Sequence, residues 1–307
     1  MSKIQIWLAQ TRANFLLLAV FLVLIGLAYA AKYSPGEAFN WWHAILIMAG
    51  TISAHISVNL FNELSDFHTG IDHMTRRTPF SGGSGMLTAG NTRPGQVKTA
   101  AILTLLFSAG IGVYFTLTAH FAIALISILG ALTIMFYTNY LSRYMLGEFF
   151  AGLALGTLVV IGAYIAMNGV PGTALSALVP MEVCLISIPP GILTFLLLLL
   201  NEFPDVEADQ KGGRKHLVIR FGKKTAAKIY AAGIFVTFAV ILALPLSQVA
   251  SYWLFLALLP LPAAIKAAQT AIKHAENTEK LMPAMGLNVM VVLATDLLIA
   301  LSVIVQL

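Results

Sequence analysis

The sequence predicts an all-α, multi-pass membrane protein with about nine transmembrane helices around a central cavity. Three observations carry this reading. Of 307 residues, 59% are hydrophobic and 10% are charged, against roughly 45–50% apolar and about 25% charged in a soluble domain. Long apolar runs recur, and a spanning helix needs about 20 mostly apolar residues. The charges sort by loop. A net charge of +5 would point to a polyanionic partner in a soluble chain, but here the placement of Lys and Arg explains it and excludes nucleic acid. The single Cys184 excludes an intrachain disulfide, a Cys-rich metal site and a CxxC motif.

The apolar runs fall at 15–31, 44–62, 97–118, 120–138, 147–167, 183–201, 225–246, 249–270 and 286–306. The third and fourth must be separate, because 97–138 is too long for one span; the break falls near Thr118, Ala119 and His120. When loops are assigned alternately with the N-terminus inside, every Lys and Arg except Lys32 lies on the inner side. Inner loops carry the Lys and Arg excess, so this predicts an N-in, C-out protein of the cell (inner) membrane. Ala28-Tyr29-Ala30 resembles a small-x-small cleavage site, but the run before it is long for a signal segment, and an uncleaved first helix is expected. Trp41 and Trp42 read as interfacial belt residues at the outer end of the second span. The expected organisation is one transmembrane domain over 1–307, with acidic loops at 62–96 and 201–224.

The chain has 13 acidic residues. Glu63, Asp66 and Asp72 form one group, and Glu202, Asp205, Glu207 and Asp209 another. Each group starts at the inner end of a span and reads Asn-Glu-x-x-Asp followed by a further Asp. On a helix, residues four apart share a face, so Asn62 projects with Asp66, and Asn201 with Asp205 and Asp209 if Pro204 leaves the turn intact. Gly70 is placed to turn the chain and return Asp72. The motifs are about half the chain apart, which suggests two pseudo-repeated halves facing across a cavity. The bland alternative, ordinary solvated loop charge, accounts for the location but not for the repeated arrangement.

Clustered carboxylates raise each other's pKa unless a cation neutralises them. Oxygen donors without Cys or His suit a hard cation, and Mg²⁺ typically bridges carboxylates to substrate phosphates. Asn62, Asp66, Asp72, Asp205 and Asp209 are the candidate ligands, for two Mg²⁺ ions. Four carboxylates and a diphosphate outweigh two such ions, so Arg76, Arg77, Lys211, Arg214 and Lys215 are the candidate balancing cations.

At these residues the chain resembles the UbiA superfamily of intramembrane prenyltransferases. The carriers are Asn62-Glu63-x-x-Asp66-x-x-x-Gly70-x-Asp72, Asp205-x-x-x-Asp209, and the tails Gly213-Arg214-Lys215-His216-Leu217 and Ile219-Arg220-Phe221-Gly222. The Asp66–Asp72 spacing through Gly70, with Phe136-Tyr137-Thr138 and Leu146-Gly147-Glu148, is most similar to the 1,4-dihydroxy-2-naphthoate prenyltransferases of menaquinone synthesis. Three departures stand out. Glu63 stands where Asp is common, no Pro follows Arg12, and Arg76-Arg77-Thr78-Pro79 leans toward the 4-hydroxybenzoate branch. The resemblance implies Mg²⁺-dependent transfer of a polyprenyl group from its diphosphate to an aromatic ring. 4-Hydroxybenzoate, homogentisate, haem, chlorophyllide and a glycerol phosphate remain alternative acceptors. Leaving-group charge is what fixed cations stabilise best, and an allylic cation needs dry walls.

Other residues carry two readings each. Ser81-Gly82-Gly83-Ser84-Gly85 is a phosphate-binding loop or a plain hinge. His68 and His73 are ligands or loop residues. Glu148 orients or deprotonates the acceptor, or serves packing. Tyr137, Tyr140 and Tyr144 shield a cation or stack on the acceptor, or anchor at the interface, with anchoring favoured for at least two. Arg12 and Asn14 reach substrate, or Arg12 is only an inner positive charge. Asp296, midway along the last span, is functional or a packing contact with Asn288 or Thr295. A secondary transporter is the rival class, but it expects ionisable groups at the midplane, where only Asp296 lies. The implied partners are a polyprenyl diphosphate, an aromatic acceptor and the bilayer; nothing in the sequence signals an obligate protein partner.

Overall fold

The computed structural model describes residues 1–307 apart from Pro35, Glu37, Arg76 and Asn139. Among the described residues every regular element is helical. Eight helices are long and apolar enough to cross a membrane: Ala13–Lys32, Trp41–Thr69, Pro94–Thr118, Gly147–Asn168, Met181–Asn201, Lys223–Leu246, Tyr252–His274 and Thr278–Ile304. Ala122–Phe136, at 15 residues, is apolar but shorter. In chain order these are called the first to ninth spans, with Ala122–Phe136 the fourth. All nine expected apolar runs are therefore helices. The protein is an integral membrane protein.

Local chemistry sets the ends. Before the first span lies a short helix, Lys3–Gln10, closed by a reciprocal Ser2–Gln5 capping box. The second span starts at Asn40, whose side chain accepts the His43 N–H at 3.0 Å. It ends at Gly70, where φ is 76°, a left-handed conformation that glycine adopts freely. The helix Ile71–Met74 follows at once and carries Asp72 back. The break between the third and fourth spans is at His120 as expected: this buried side chain accepts the Ala122 N–H and lies 2.9 Å from the Thr173 carbonyl.

The sixth span ends at Asn201, as the apolar run 183–201 predicts, and the turn at Pro204 is broken. Residues 202–205 form turns, and Val206–Lys211 begins a new short helix. Pro204 lacks the N–H needed to continue the ladder. Asn201, Asp205 and Asp209 therefore do not share one helical face.

The fifth and sixth spans approach through glycine. A Cβ on Gly152 would lie 2.6 Å from the Gly191 carbonyl oxygen, and one on Gly156 would lie 2.5 Å from the Gly191 Cα. Gly152 and Gly156 form a G-x-x-x-G pair, the spacing that lets spanning helices touch backbone to backbone. The seam coincides with a π-helical stretch, Ala151–Thr157. The first and fifth spans cross as closely at Gly26, where a Cβ would meet the Val160 oxygen at 2.5 Å.

The main buried core draws on the first span and on the fifth to ninth. The third and fourth spans instead expose Leu103, Leu106, Phe107, Leu117, Leu125 and Ile128, side chains suited to lipid rather than water. Trp41, Trp42, Tyr140 and Tyr144 are exposed at helix ends, in keeping with anchoring. Lys32 is not a free charge, because its ammonium meets both Glu182 carboxylate oxygens at 2.7 Å and Tyr33 donates to the same carboxylate.

Asp296 is fully buried, and neither of its carboxylate oxygens has a hydrogen-bond partner among the described residues. Asn288 instead accepts from Tyr230 at 3.0 Å, and the Thr295 hydroxyl is also unpartnered. Among the described residues, neither Asn288 nor Thr295 hydrogen-bonds to its carboxylate.

The glycine seam makes a direct prediction. Gly156→Leu is expected to force the fifth and sixth spans apart and destabilise the folded protein by about 1–3 kcal/mol, the usual effect of overpacking. Thermal unfolding in detergent would show a lower midpoint than wild type; an unchanged midpoint would mean that the two backbones are not in contact.

Candidate active site

The two acidic motifs converge, although they lie at the ends of different spans. Arg214, in the tail of the second motif, donates to Asp209 at 2.8 Å and also to Asp66 of the first motif. Its second nitrogen lies 3.5 Å from Asn62 Oδ1, which also accepts from Thr138 at 2.9 Å. One planar guanidinium thus joins both motifs to the junction after the fourth span. Burial opposes the Arg214 charge, but Asp66 and Asp209 more than offset this and hold its pKa above the usual value.

The remaining two aspartates are differently placed. Asp72 is buried, and its Oδ2 has no hydrogen-bond partner among the described residues. Asp205 lies close to Ser81, and its Oδ1 is likewise unpartnered. Burial, then the charges of Asp66 and Glu63, push the Asp72 pKa up to about 7, against Arg77 and Arg214. Burial, then Asp209, push Asp205 up to about 7, against Arg214 and Ser81. Among the described residues neither carboxylate is paired directly with Lys, Arg or His. Asn201 Oδ1 is also buried and unpartnered. An oxygen-only donor set with orphaned atoms fits a hard divalent cation.

The glycine loop is anchored rather than free. Glu63 receives the Ser84 backbone N–H, the Ser84 hydroxyl at 2.6 Å and Gln10 Nε2 at 3.1 Å. Gln10 in turn accepts from Thr92 at 2.6 Å. Gly82, Gly83 and Gly85 all have positive φ, and a Cβ on Gly83 would lie 2.9 Å from Asp72 Oδ1. Arg77 is exposed but tied to the loop, donating to the Gly82 carbonyl at 3.3 Å and to Thr88. The departure at Glu63 thus has a use: the longer side chain reaches the loop.

Next to the acids a cavity of about 350 Å³ opens among the first six spans. Most of its wall is apolar, but Arg12, His55, Asn62, Tyr137 and Asn201 line it too. Arg12 adopts a left-handed φ of 53°, and Asn59 donates to the neighbouring Thr11 carbonyl at 3.0 Å, which pins that turn. Tyr137 is half-buried, and burial, then Glu202, push its hydroxyl pKa well up, so it stays protonated.

Not every expected residue reaches the site. Asn14 is exposed and does not line the cavity. Glu148 is fully buried away from the cavity wall and accepts the Leu217 N–H at 2.7 Å. It holds the second motif's tail instead of facing an acceptor. Lys211 and Lys215 are exposed, and the Lys215 N–H donates to the Ser142 carbonyl at 2.8 Å. His68 and His73 are exposed and flank Phe67. Arg76 lies outside the described residues.

Sequence reasoning missed Gln10 and His55, and named Thr138, Glu202 and His216 only within motifs, without a role of their own. One was detectable: His55, Asn59, Asn62 and Asp66 recur at the spacing of one helix face.

These features describe an integral membrane protein with a polar site where two spans end beside an apolar cavity. Residues 19–290 match the UbiA prenyltransferase family, and the chain belongs to that family of enzymes. It is 28% identical over 273 residues to a 1,4-dihydroxy-2-naphthoate octaprenyltransferase of Bacillus subtilis, covering 88% of this chain and 83% of that one. A UbiA homolog from Aeropyrum pernix K1 shares the fold with a TM-score of 0.71 at 16% identity, covering 95% of this chain and 98% of the other. A UbiA homolog from Archaeoglobus fulgidus bound to DMAPP and Mg²⁺ aligns with a TM-score of 0.60 at 15% identity, with coverages of 95% and 98%.

Arg214→Ala is expected to lower turnover at least about 100-fold, as loss of a fixed charge at a reacting centre does. It also strands two carboxylates, so a stability loss of about 3–5 kcal/mol should accompany it in unfolding measurements. Arg214→Lys restores one charge without the fork and should fall between. Glu63→Ala should speed limited proteolysis within 77–90 roughly tenfold, the effect of losing about 1.5 kcal/mol of charged hydrogen bonding.

Proposed function

We infer that the protein transfers a polyprenyl group from its diphosphate to an aromatic acceptor in a Mg²⁺-dependent reaction, and that the acceptor is 1,4-dihydroxy-2-naphthoate. The observation that carries the chemistry is the Arg214 bridge between Asp66 and Asp209, beside two aspartates with unpartnered oxygens. The acceptor rests on the octaprenyltransferase relatives, and the donor and ion on the homolog that binds DMAPP and Mg²⁺.

Asp72, Asp205 and Asn201 are the residues that would hold Mg²⁺, with Asn62, Asp66 and Asp209 completing the acidic surround; two ions are proposed. When bound, the metal supplies positive charge against the diphosphate as it leaves. The chain's own residues do the rest. Arg214 fixes the spacing of the two motifs. Arg77, held in the glycine loop, brings a second cation near Asp72, and exposed Lys211 and Lys215 add further charge at the same end. The apolar cavity takes the polyprenyl chain and keeps water from the reacting carbon. Tyr137 presents a neutral hydroxyl and a ring face to that space. Arg12 offers a guanidinium to an anionic acceptor within the cavity.

The placement of Lys and Arg supports nine spans in the cell (inner) membrane, with the N-terminus and both motif loops on the cytoplasmic side. Rival transporter chemistry expects polar groups at mid-depth, whereas these motifs gather at helix ends.

The test is incubation of membranes containing the protein with Mg²⁺, labelled geranylgeranyl diphosphate and separate aromatic acceptors. Transfer to 1,4-dihydroxy-2-naphthoate is expected, abolished by chelation and by Asp66→Ala. Transfer only to 4-hydroxybenzoate or homogentisate would reassign the acceptor; Mg²⁺-independent transfer, or none to any ring, would overturn the chemistry.

A further inference from the structure

Behind the acids of the active site lies a second polar cluster that the transfer reaction does not use. Glu148 sits at the start of the fifth span, Glu202 just past the end of the sixth, and His216 at the N-terminus of the short helix Leu217–Phe221. One donor atom from each lies within 4.8 Å of the other two. Glu148 and His216 are at most 1% exposed, and the Glu202 side chain is 12% exposed.

The cluster is short of partners. Glu148 Oε2, Glu202 Oε2 and His216 Nε2 have no hydrogen bond among the described residues. Glu148 uses its other oxygen to accept the Leu217 N–H. His216 Nδ1 takes a long 3.4 Å bond from the Ile219 N–H and lies 3.5 Å from Glu202 Oε2. Its Nε2 is 3.2 Å from Asp209 Oδ2 but is not directed along a hydrogen bond. Among the described residues neither glutamate pairs with Lys or Arg; the nearby Arg214 is already shared by Asp66 and Asp209. Two adjacent buried carboxylates cannot both stay ionised without a compensating charge.

The geometry points to a second cation site, in which Glu148, Glu202 and His216 bind one divalent transition-metal ion of the Mn²⁺, Fe²⁺ or Zn²⁺ class. Bonds of about 2.0–2.2 Å to N and O donors place the ligand atoms of one ion up to about 4.4 Å apart, so the observed cluster closes with shifts of a few tenths of an ångström. The imidazole sets it apart from the oxygen-only donors facing the cavity. Nitrogen suits borderline transition ions, whereas carboxylate and amide oxygens alone suit Mg²⁺. Its three ligands come from three separate elements, so the ion ties the fifth span, the sixth span and the second motif's tail together. His216 Nε2 lies 3.2 Å from Asp209 Oδ2, so the ion sits one side chain away from the second motif's acids.

The experiment uses the full chain purified in detergent, stripped with a chelator, then loaded with Co²⁺ in the presence of millimolar Mg²⁺ and desalted. Wild type is expected to retain about one Co²⁺ per chain with a visible ligand-field absorption, displaced by Zn²⁺. Glu202→Gln, which keeps shape and removes charge, and His216→Ala should each lose the retained ion and the band. The double variant Asp72→Asn/Asp205→Asn should keep both. If His216→Ala does not fold, Glu202→Gln decides. The site is refuted if wild type retains no Co²⁺, if Glu202→Gln retains as much as wild type, or if the band disappears in the double aspartate variant. The readout is metal content and absorbance, so it stands whichever acceptor the enzyme uses.

Discussion

A single guanidinium organises the working end of this molecule. Arg214 lies on the chain segment after the sixth span, yet it holds Asp66 at the end of the second and Asp209 beside itself. A planar fork donates to two carboxylates in fixed directions, which a lysine ammonium does not. Because Asn62 and Thr138 join the same network, the end of the second span, the junction after the fourth and the second motif are positioned together. The clamp also divides the acids by task. Two are satisfied by arginine, and two keep oxygens for something else.

The scaffold keeps that end rigid with little side-chain material. Gly152 and Gly156 let the fifth and sixth spans meet backbone to backbone at Gly191. This closeness carries Glu148 and Glu202, which flank the seam, into the same buried space. On the other side, Glu63 and Gln10 fasten the glycine loop against Asp72 and Asp205. The cavity between the first six spans is left apolar and open to a long hydrocarbon chain.

The spans were legible because apolar runs of membrane length are a local property of sequence. The break at His120 and the return of Asp72 after Gly70 were legible for the same reason: a short stretch decides them. The convergence of the acidic groups followed from their repeated pattern. What was not legible depends on contacts between distant segments. Glu148 faces the backbone of Leu217, 69 positions away, and no local pattern announces that. Glu63 looked like a conservative departure until the loop it holds was in place. Pro204 was the stated condition on a shared face for Asn201, Asp205 and Asp209, and the helix does stop before it. Asp296 was correctly marked as unusual, but neither expected neighbour hydrogen-bonds to its carboxylate.

The short N-terminal helix turns Ile4 and Leu8 outward while burying Gln10, and Gln10 is bonded to Glu63 at the heart of the first motif. Outward apolar side chains on a short helix suit the boundary between headgroups and acyl chains. The Gln10–Glu63 bond ties that outward apolar face to the first acidic motif. On the proposed function, a polyprenyl diphosphate diffusing within the bilayer reaches the site from the lipid, so encounters scale with its mole fraction among lipids. Diluting that lipid with inert lipid at constant bulk concentration would slow the enzyme, and adding water would not.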